Sequence, residues 1–551
     1  MDRNRAPVSV SWSRIGRVAL VALPIGFLAT FYLYPVATIL ITGLLEDGAL
    51  DLRPFADVAT SPALRGVVWF TLWQAVASTA LTVAAAMPIA YVFARYQFPG
   101  KRLLSALLTI PFVMPTVVVA TSFLALFGSS SPVGVNLNRT IWIILAAHVF
   151  YNLAVVVRTV GGLWSHLDPR MEEAARSLGA TRWQAFRTVT LPLLRPPLAA
   201  AAAIVFLFTF TSFGVILILG GLTYSTMEVE IYRQTVVFLD LPVAATLAIL
   251  QLVGVSIILW LYARYQRNRE VELSLMPARS VARRPSTPRQ RLAVIATVAY
   301  IGGVAVLPLG VLVARSLDSG AGGVLTFYRA LADSSGGSTA FVSPLEAIGN
   351  SLWIAGLATI IALAVGMSAA VVVAYRSGRA SRSFDLLLML PLGTSAVTIG
   401  FGMLIALDWP IDLRANVLLI PLAHALVAIP FVVRLSVPVM RSVRPQLREA
   451  AAVLGASPAR VWREIDLPIA ARALAVSAGF AFAISLGEFG ATSFIARPDT
   501  PTLPIAIFRL LGRPGTLNFG QAMAMSTILM AVTATVILLV DRFRLRDVGD
   551  F

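Results

Sequence analysis

The sequence predicts an all-α polytopic membrane protein of twelve transmembrane helices, built as two parallel six-helix repeats. Four observations carry that prediction. Of 551 residues, 58% are hydrophobic and only 13% charged, where a soluble protein would carry roughly 25% charged residues. Apolar runs of about 20 residues recur along the chain, the length that crosses a bilayer as a helix. The alternating pattern of an outer-membrane barrel is absent. Finally, one stretch occurs twice, 276 positions apart (449 − 173). Glu173-Ala174-Ala175, Gly179 and Val189-Thr190-Leu191-Pro192 return as Glu449-Ala450-Ala451, Gly455 and Ile465-Asp466-Leu467-Pro468. The same offset pairs His148 with His424, Arg158 with Arg434, Phe213-Gly214 with Phe489-Gly490, and Tyr232-Arg233 with Phe508-Arg509. A register this long without a gap marks a duplicated unit.

Taken in order, the expected spans lie at about 18–45, 67–93, 103–127, 141–157, 197–219, 244–262, 292–314, 351–375, 385–407, 417–433, 471–494 and 521–540. Arg3, Arg5, Arg14 and Arg17 precede the first span and place the N-terminus in the cytoplasm. The even gaps are then basic, as at Arg95, Lys101 and Arg102 and again at Arg376, Arg379 and Arg382, while Glu46, Asp47, Asp51 and Asp57 fall in the first outer gap. Arg542, Arg544 and Arg546 put the C-terminus inside as well. The first span is too long for a signal peptide and has no obvious small-residue cleavage site. Residues 1–263 therefore read as the first unit and 292–551 as the second. The basic, proline-broken stretch 264–291 joins them as a cytoplasmic linker, read as a solvated tether. Six spans before it and six after give both units the same orientation.

Composition also excludes whole classes of chemistry. There is no cysteine, so disulfides and thiolate metal sites are out. Three histidines are too few for a metal cage. The net charge of +17 lies between apolar runs, which points to topology and anionic lipid rather than to nucleic acid. No G-x-x-x-x-G-K-[ST] loop is present; the one Gly-Lys pair, Gly100-Lys101, continues Arg-Leu. No catalytic residue is expected, and none for metal.

The duplicated stretch predicts helix, glycine turn, helix. Gly179 and Gly455 sit where a helix stops in the left-handed cap conformation. Thr181 with Gln184 has capping-box spacing, and Ser457 followed by Pro458 is the corresponding cap. Leu191-Pro192 and Leu467-Pro468 are expected to break the chain before the next span. Ala174-Ala175 and Ala450-Ala451 leave a bare face for another backbone, and Glu173 and Glu449 offer a charge. A hairpin that only joins two spans would be free to drift in sequence; this one keeps its spacing twice.

Glu-Ala-Ala, three residues, Gly, nine residues, hydrophobic-x-Leu-Pro resembles the EAA loop of permease subunits of bacterial ABC importers. Both copies match, and the resemblance covers nearly the whole chain as two fused permease units of the type I importer fold. In that family the loop is a coupling helix that docks on the ATP-hydrolysing subunit. The resemblance implies that Glu173, Ala174, Ala175, Gly179, Leu191 and Pro192 dock one ATPase copy, and Glu449, Ala450, Ala451, Gly455, Leu467 and Pro468 the other. It further implies a bacterial cytoplasmic (inner) membrane location and an extracytoplasmic solute-binding protein as partner. The chain itself would hold no cofactor, ATP and Mg being bound by the ATPase.

Polar groups inside spans are the pathway candidates. Glu488 stands where the first unit has Ser212, next to the paired steps Phe213-Gly214 and Phe489-Gly490. It either faces the pathway, favouring a cationic solute, or pairs with an arginine at the rim such as Arg497. His148 and Asn152 lie one turn apart, with His424 matching His148; they line the pathway or hydrogen-bond a neighbouring helix. Pro111, Pro115 and Pro391 mark kinks. The run from Thr211 through Gly220-Gly221 to Tyr232 resembles permeases for thiamine and ferric iron, and Ser485 to Gly490 also resembles molybdate-type relatives. Val237-Phe238-Leu239-Asp240 leans towards thiamine. The rival reading, an ion-driven secondary transporter with parallel halves, leaves the repeated loop unexplained.

Overall fold

The computed structural model describes residues 14–129, 131–267, 281–318, 323–332, 342–376, 378–443 and 445–543. Arg3, Arg5, Arg544 and Arg546, which bear on orientation, lie outside them. Nine described helices are long and apolar enough to cross a membrane, and three bent helix pairs bring the number to twelve. The principal helices are α1 (Leu20–Leu44), α2 (Pro62–Arg95), α3 (Ile141–Trp164), α4 (Arg170–Ser177), α5 (Arg182–Phe210), α6 (Met227–Arg233) and α7 (Leu241–Arg267) in the first half. They are followed by α8 (Pro288–Leu317), α9 (Pro344–Tyr375), α10 (Leu419–Ser442), α11 (Pro445–Val453), α12 (Leu467–Gly487), α13 (Leu503–Leu511) and α14 (Thr516–Phe543).

The expected third and ninth spans are not straight. Lys101–Val113 and Thr116–Phe127 meet at 104°, and Arg379–Gly393 and Ala396–Ala406 at 97°. Pro115 lacks the N–H that would continue the first helix, so the chain turns extended at Met114 and restarts. In the second copy Pro391 lies in a short 3₁₀ segment, Leu390–Gly393, and Ser395 caps the new helix by accepting from the Thr398 amide at 3.0 Å.

The Leu-Pro steps behave differently from expectation. Leu191-Pro192 does not break the chain: α5 runs unbroken from Arg182 to Phe210. Five-residue π-helical turns, Phe186–Thr190 and Trp462–Asp466, precede the two prolines. Each proline then falls in the first turn of the α-helix that resumes, where a missing N–H costs little. The expected linker is also shorter than 264–291, because α7 continues to Arg267 and α8 begins at Pro288.

The chain packs as two compact units whose composition crosses the sequence halves. Among the described residues, one unit falls within Met1–Pro54, Ile231–Ile249 and Thr326–Asp550, the other within Phe55–Glu230 and Leu250–Leu325. In the first, the N-terminal part of α1 packs on α9 and its C-terminal part on Ala396–Ala406. The Tyr32 hydroxyl is 2.7 Å from Thr394 Oγ1, at the bend of the second broken span. In the second, α8 packs on Thr116–Phe127 and α2. Each unit thus takes its leading span from the other half of the sequence. The centre of each is a three-helix contact, α2–α3–α5 in one and α9–α10–α12 in the other.

One close approach fixes the unit that holds α12. A Cβ on Gly400 would stand 2.5 Å from Ala491 Cα and 2.7 Å from its carbonyl oxygen. Backbone cannot yield as a side-chain tip does, so Gly400→Ala is expected to cost about 1–3 kcal/mol by overpacking. The check is the thermal midpoint of the purified chain; an unchanged midpoint would mean that the two segments do not touch.

Candidate functional site

The duplicated loops fold as the spacing predicts. α4 ends in a glycine cap: Gly179 has φ +92°, and the Ala180 amide donates to the Ala175 carbonyl at 3.1 Å. α11 ends the same way, with Gly455 at φ +81° and the Ala456 amide donating to the Ala451 carbonyl at 3.0 Å. The Thr181–Gln184 capping box is closed by contacts of 2.8 and 3.2 Å, and Ser457 Oγ accepts from the Arg460 amide at 3.3 Å. Glu173, Ala174, Glu449, Ala450 and both glycines are exposed, while Ala175 and Ala451 are half-buried. At the crest of each hairpin a leucine points away from the protein: Leu178 is 91% and Leu454 87% exposed. Val453 beside Leu454 is likewise 86% exposed, and these apolar crests went unnoticed in the sequence because they sit in short hairpins with no periodic apolar face to single them out.

What holds each hairpin to its span also escaped sequence reading. In the first copy Thr190 Oγ1 donates to Glu172, and Arg95 binds the Leu167 carbonyl at 3.1 Å with its guanidinium 3.9 Å from Glu172. The equivalent positions 448 and 466 carry opposite charges instead. Arg448 Nε and Nη2 donate to Asp466 Oδ1 at 2.8 and 2.7 Å, Nη2 also reaches the Tyr375 hydroxyl at 2.7 Å, and the guanidinium lies 4.7 Å over the Tyr375 ring. The Arg448 and Asp466 side chains are 10% and 3% exposed. Removing one partner of a buried pair strands the other, so Arg448→Met is expected to destabilise by about 3–5 kcal/mol. Hydrogen exchange at residues 445–457 should rise with it; protection equal to the parent protein would refute the anchoring.

Towards the opposite end of the same helices lies a second repeated feature. α5 stops at Phe210 and the chain restarts as helix at Gly214; α12 stops at Gly487 and restarts at Thr492. Each break is tied to a buried histidine by the same sequence interval, 64 residues (212 − 148 and 488 − 424). His148 Nδ1 is 2.9 Å from Ser78 Oγ on α2, and its Nε2 is 2.9 Å from Ser212 Oγ in the break. His424 Nδ1 is 2.7 Å from Ser485 Oγ, and its Nε2 is 2.8 Å from Thr492 Oγ1 and 3.2 Å from Glu488 Oε2. Ser212 and Glu488, read apart from the histidines in the sequence, are thus the histidines' partners. The short helices that follow are secured alike. The Met227 amide donates to Thr71 Oγ1 at 2.9 Å and the Leu503 amide to Ser351 Oγ at 2.6 Å. These contacts satisfy irregular backbone that lipid cannot.

Glu488 itself is 6% exposed. It accepts from the Ala491 and Thr492 amides at 2.8 and 3.0 Å and from the Thr492 hydroxyl. It therefore caps the short helix Thr492–Ile495. Arg497 pairs with Asp499 at 3.1 Å, not with Glu488. Asn152 Nδ2 donates to the His148 carbonyl at 3.0 Å, and its Oδ1 has no hydrogen-bond partner among the described residues. Phe213 and Phe489 are buried, the latter 5.5 Å from the Phe508 ring. At the far end of α10 from its hairpin, Asp412, Asn416, Arg497, Asp499 and Thr500 line an open cleft of about 590 Å³. There the hydrogen-bonded Arg414 and Arg497 guanidinia hold the Asp412 and Asp499 carboxyls below their usual range.

A multi-pass helical protein with two copies of one hairpin and of one broken span is the membrane part of a duplicated transport machine. The family described as "Binding-protein-dependent transport system inner membrane component" matches residues 86–270 and again 362–546. Those two matches repeat at the 276-residue offset (362 − 86, 546 − 270). The chain belongs to this family and is the transmembrane permease subunit of an ABC importer. It is 25% identical over 542 residues to a probable ABC transporter permease, y4fN, of Sinorhizobium fredii, covering 94% of each chain. With the thiamine transport system permease ThiP of Brucella abortus it shares 28% identity over 86% of this chain and 87% of that one. The sulfate transport system permease CysT of Escherichia coli is 31% identical over 40% of this chain and 82% of its own.

Proposed function

We propose that the two hairpins are docking points for two copies of an ATPase, and that the broken spans are the moving part of a pathway for a small solute, of thiamine type. The observation that carries this reading is mechanical continuity. Each hairpin is anchored to the head of α5 or α12, and the same helix ends in the histidine-held break. α5 has 29 residues, about 44 Å at 1.5 Å per residue, so a displacement of the hairpin is carried along one continuous helix to the break. Leu178 and Leu454, bare in the isolated chain, are apolar knobs for a partner's cleft.

ATP-driven closure of the ATPases draws the hairpins together and opens the pathway outward; hydrolysis resets it. This chain contributes coupling, a difference in contact between two states, and ATP and Mg stay on the partner. The binding protein delivers solute at the ends of α10 and α12 away from the hairpins. The basic gaps support a cytoplasmic side for those hairpins and for both termini.

Thiamine is favoured over ferric iron by the stretch Val237 to Asp240 and by a thiamine permease that aligns over most of the chain. Glu488 gives that choice little support, because the protein's own groups occupy its oxygens. The test is to purify the tagged chain in mild detergent and count its partners by mass spectrometry. Two copies of an ATPase per chain are expected, and the cognate binding protein should then bind thiamine in calorimetry. A chain that drives uptake without any ATPase would overturn the coupling reading. Selective binding of ferric iron or an oxyanion would overturn the cargo alone.

A further inference from the structure

Residues 281–287 lead into α8, and they are not a solvated tether. The Arg283 amide donates to the Arg95 carbonyl and the Gln97 amide to the Arg283 carbonyl, both at 2.9 Å, forming a single parallel bridge on the end of α2. Val281 is 2% exposed. This fixed backbone aims Arg283 Nη2 at Glu173 Oε1, 3.0 Å away, on the first hairpin. The residue it rests on, Arg95, grips the start of the same hairpin through the Leu167 carbonyl. Linker, α2 and α4 thus form one cluster within one packing unit.

Among the described residues the second hairpin has no equivalent of this element. Glu449 occupies the repeat position of Glu173 and has no ion-pair partner among the described residues. No described segment bridges the end of α9 as Arg283 bridges the end of α2.

We propose that Arg283 is a positioning residue for the first docking site, holding Glu173 and with it α4 in the orientation that the ATPase receives. The two hairpins then grip their ATPase copies unequally. This rests on the docking reading above. The side chains of Arg283 and Glu173 are 67% and 51% exposed, and such a pair adds little in open water. A docking ATPase strips that water away, which strengthens the pair, and the linker backbone is already ordered to present it.

The test is a double-substitution cycle on the full chain in lipid nanodiscs, reading affinity for its purified ATPase and stimulation of ATP hydrolysis. Arg283→Ala should weaken ATPase binding by about three- to tenfold, with partial recovery in Arg283→Lys. Arg283→Ala combined with Glu173→Ala should be no weaker than Glu173→Ala alone, whereas combined with Glu449→Ala the losses should multiply. A variant that had merely misfolded would lose both hairpins and fail this contrast. Parent-like binding by Arg283→Ala, or losses at 283 and 173 that multiply, would overturn the assignment of Arg283. No ATPase binding by the parent chain itself would instead remove the docking reading.

Discussion

Gly455→Arg and Gly179→Arg are each expected to lower ATP-driven uptake more than tenfold while ATP hydrolysis by the bound ATPase continues. Space is not the obstacle, since a Cβ at either position would meet nothing within 4 Å. Conformation is. At φ +92° and +81° an L side chain costs roughly 1–2 kcal/mol, about a tenfold shift in the cap's population. The hairpin then loses the turn that sets the angle between α4 and α5, or between α11 and its successor. A bulky guanidinium also stands next to the bare alanines and the exposed leucine that a partner must cover. Gly→Asn at the same sites separates these effects, because asparagine tolerates the left-handed region and adds no charge. It should retain most of the uptake. The measurement is paired uptake and ATP hydrolysis in proteoliposomes. Normal uptake by both arginine variants would sink the coupling role.

Glu488→Ala is expected to lower the thermal midpoint far more than Ser212→Ala, although the two positions are repeat equivalents. Loss of the carboxylate leaves the Ala491 and Thr492 amides without their acceptor and takes a partner from His424, while the Thr492 hydroxyl keeps only the Glu488 carbonyl at 3.4 Å and His424 Nε2 at 2.8 Å. Removing one member of such a buried set costs about 3–5 kcal/mol. Ser212 gives up a single neutral contact to His148 Nε2, worth about 1–3 kcal/mol once the partner is left unsatisfied. Glu488→Gln should fall between them, since its amide oxygen still accepts one backbone N–H. Fluorescence-detected size exclusion after heating reads all three. Equal midpoints for Glu488→Ala and Ser212→Ala would mean that the carboxylate is not held in place, and would return Glu488 to the pathway.

How far the sequence reached depended on the range of the interaction. The glycine caps, the Thr181–Gln184 box and the Ser457 cap are set by residues within one turn of each other, so they were legible as spacing. The bends near Pro115 and Pro391 were legible as kinks but not as turns of about a right angle, because proline removes a hydrogen bond without dictating where the chain goes next. Leu191-Pro192 misled, since the π-helical turn before it rests on backbone geometry that carries no residue signature. His148 with Ser212, and His424 with Glu488, are contacts between different helices; the shared interval of 64 residues (212 − 148, 488 − 424) was their one signal. The anchors at 172 and 190 were hidden by their own chemistry. Carboxylate and hydroxyl in one copy became guanidinium and carboxylate at 448 and 466 in the other, so a search for identical residues passed over them.

The exchange of leading spans sets a timetable for the ribosome. α1 packs on α9 and on the helix Ala396–Ala406, yet about 300 residues separate Leu44 from Pro344. At roughly 5–20 residues per second, α1 waits on the order of 15–60 s for its neighbour to be made. During that interval its inward face has only lipid, or a translocation chaperone, to rest against. α8 has no such delay, because the helices that receive it are already in the membrane when it emerges. Assembly of the first packing unit is therefore the late step, and a chain truncated before residue 344 should be a target for membrane proteases even though all seven of the spans it holds are complete.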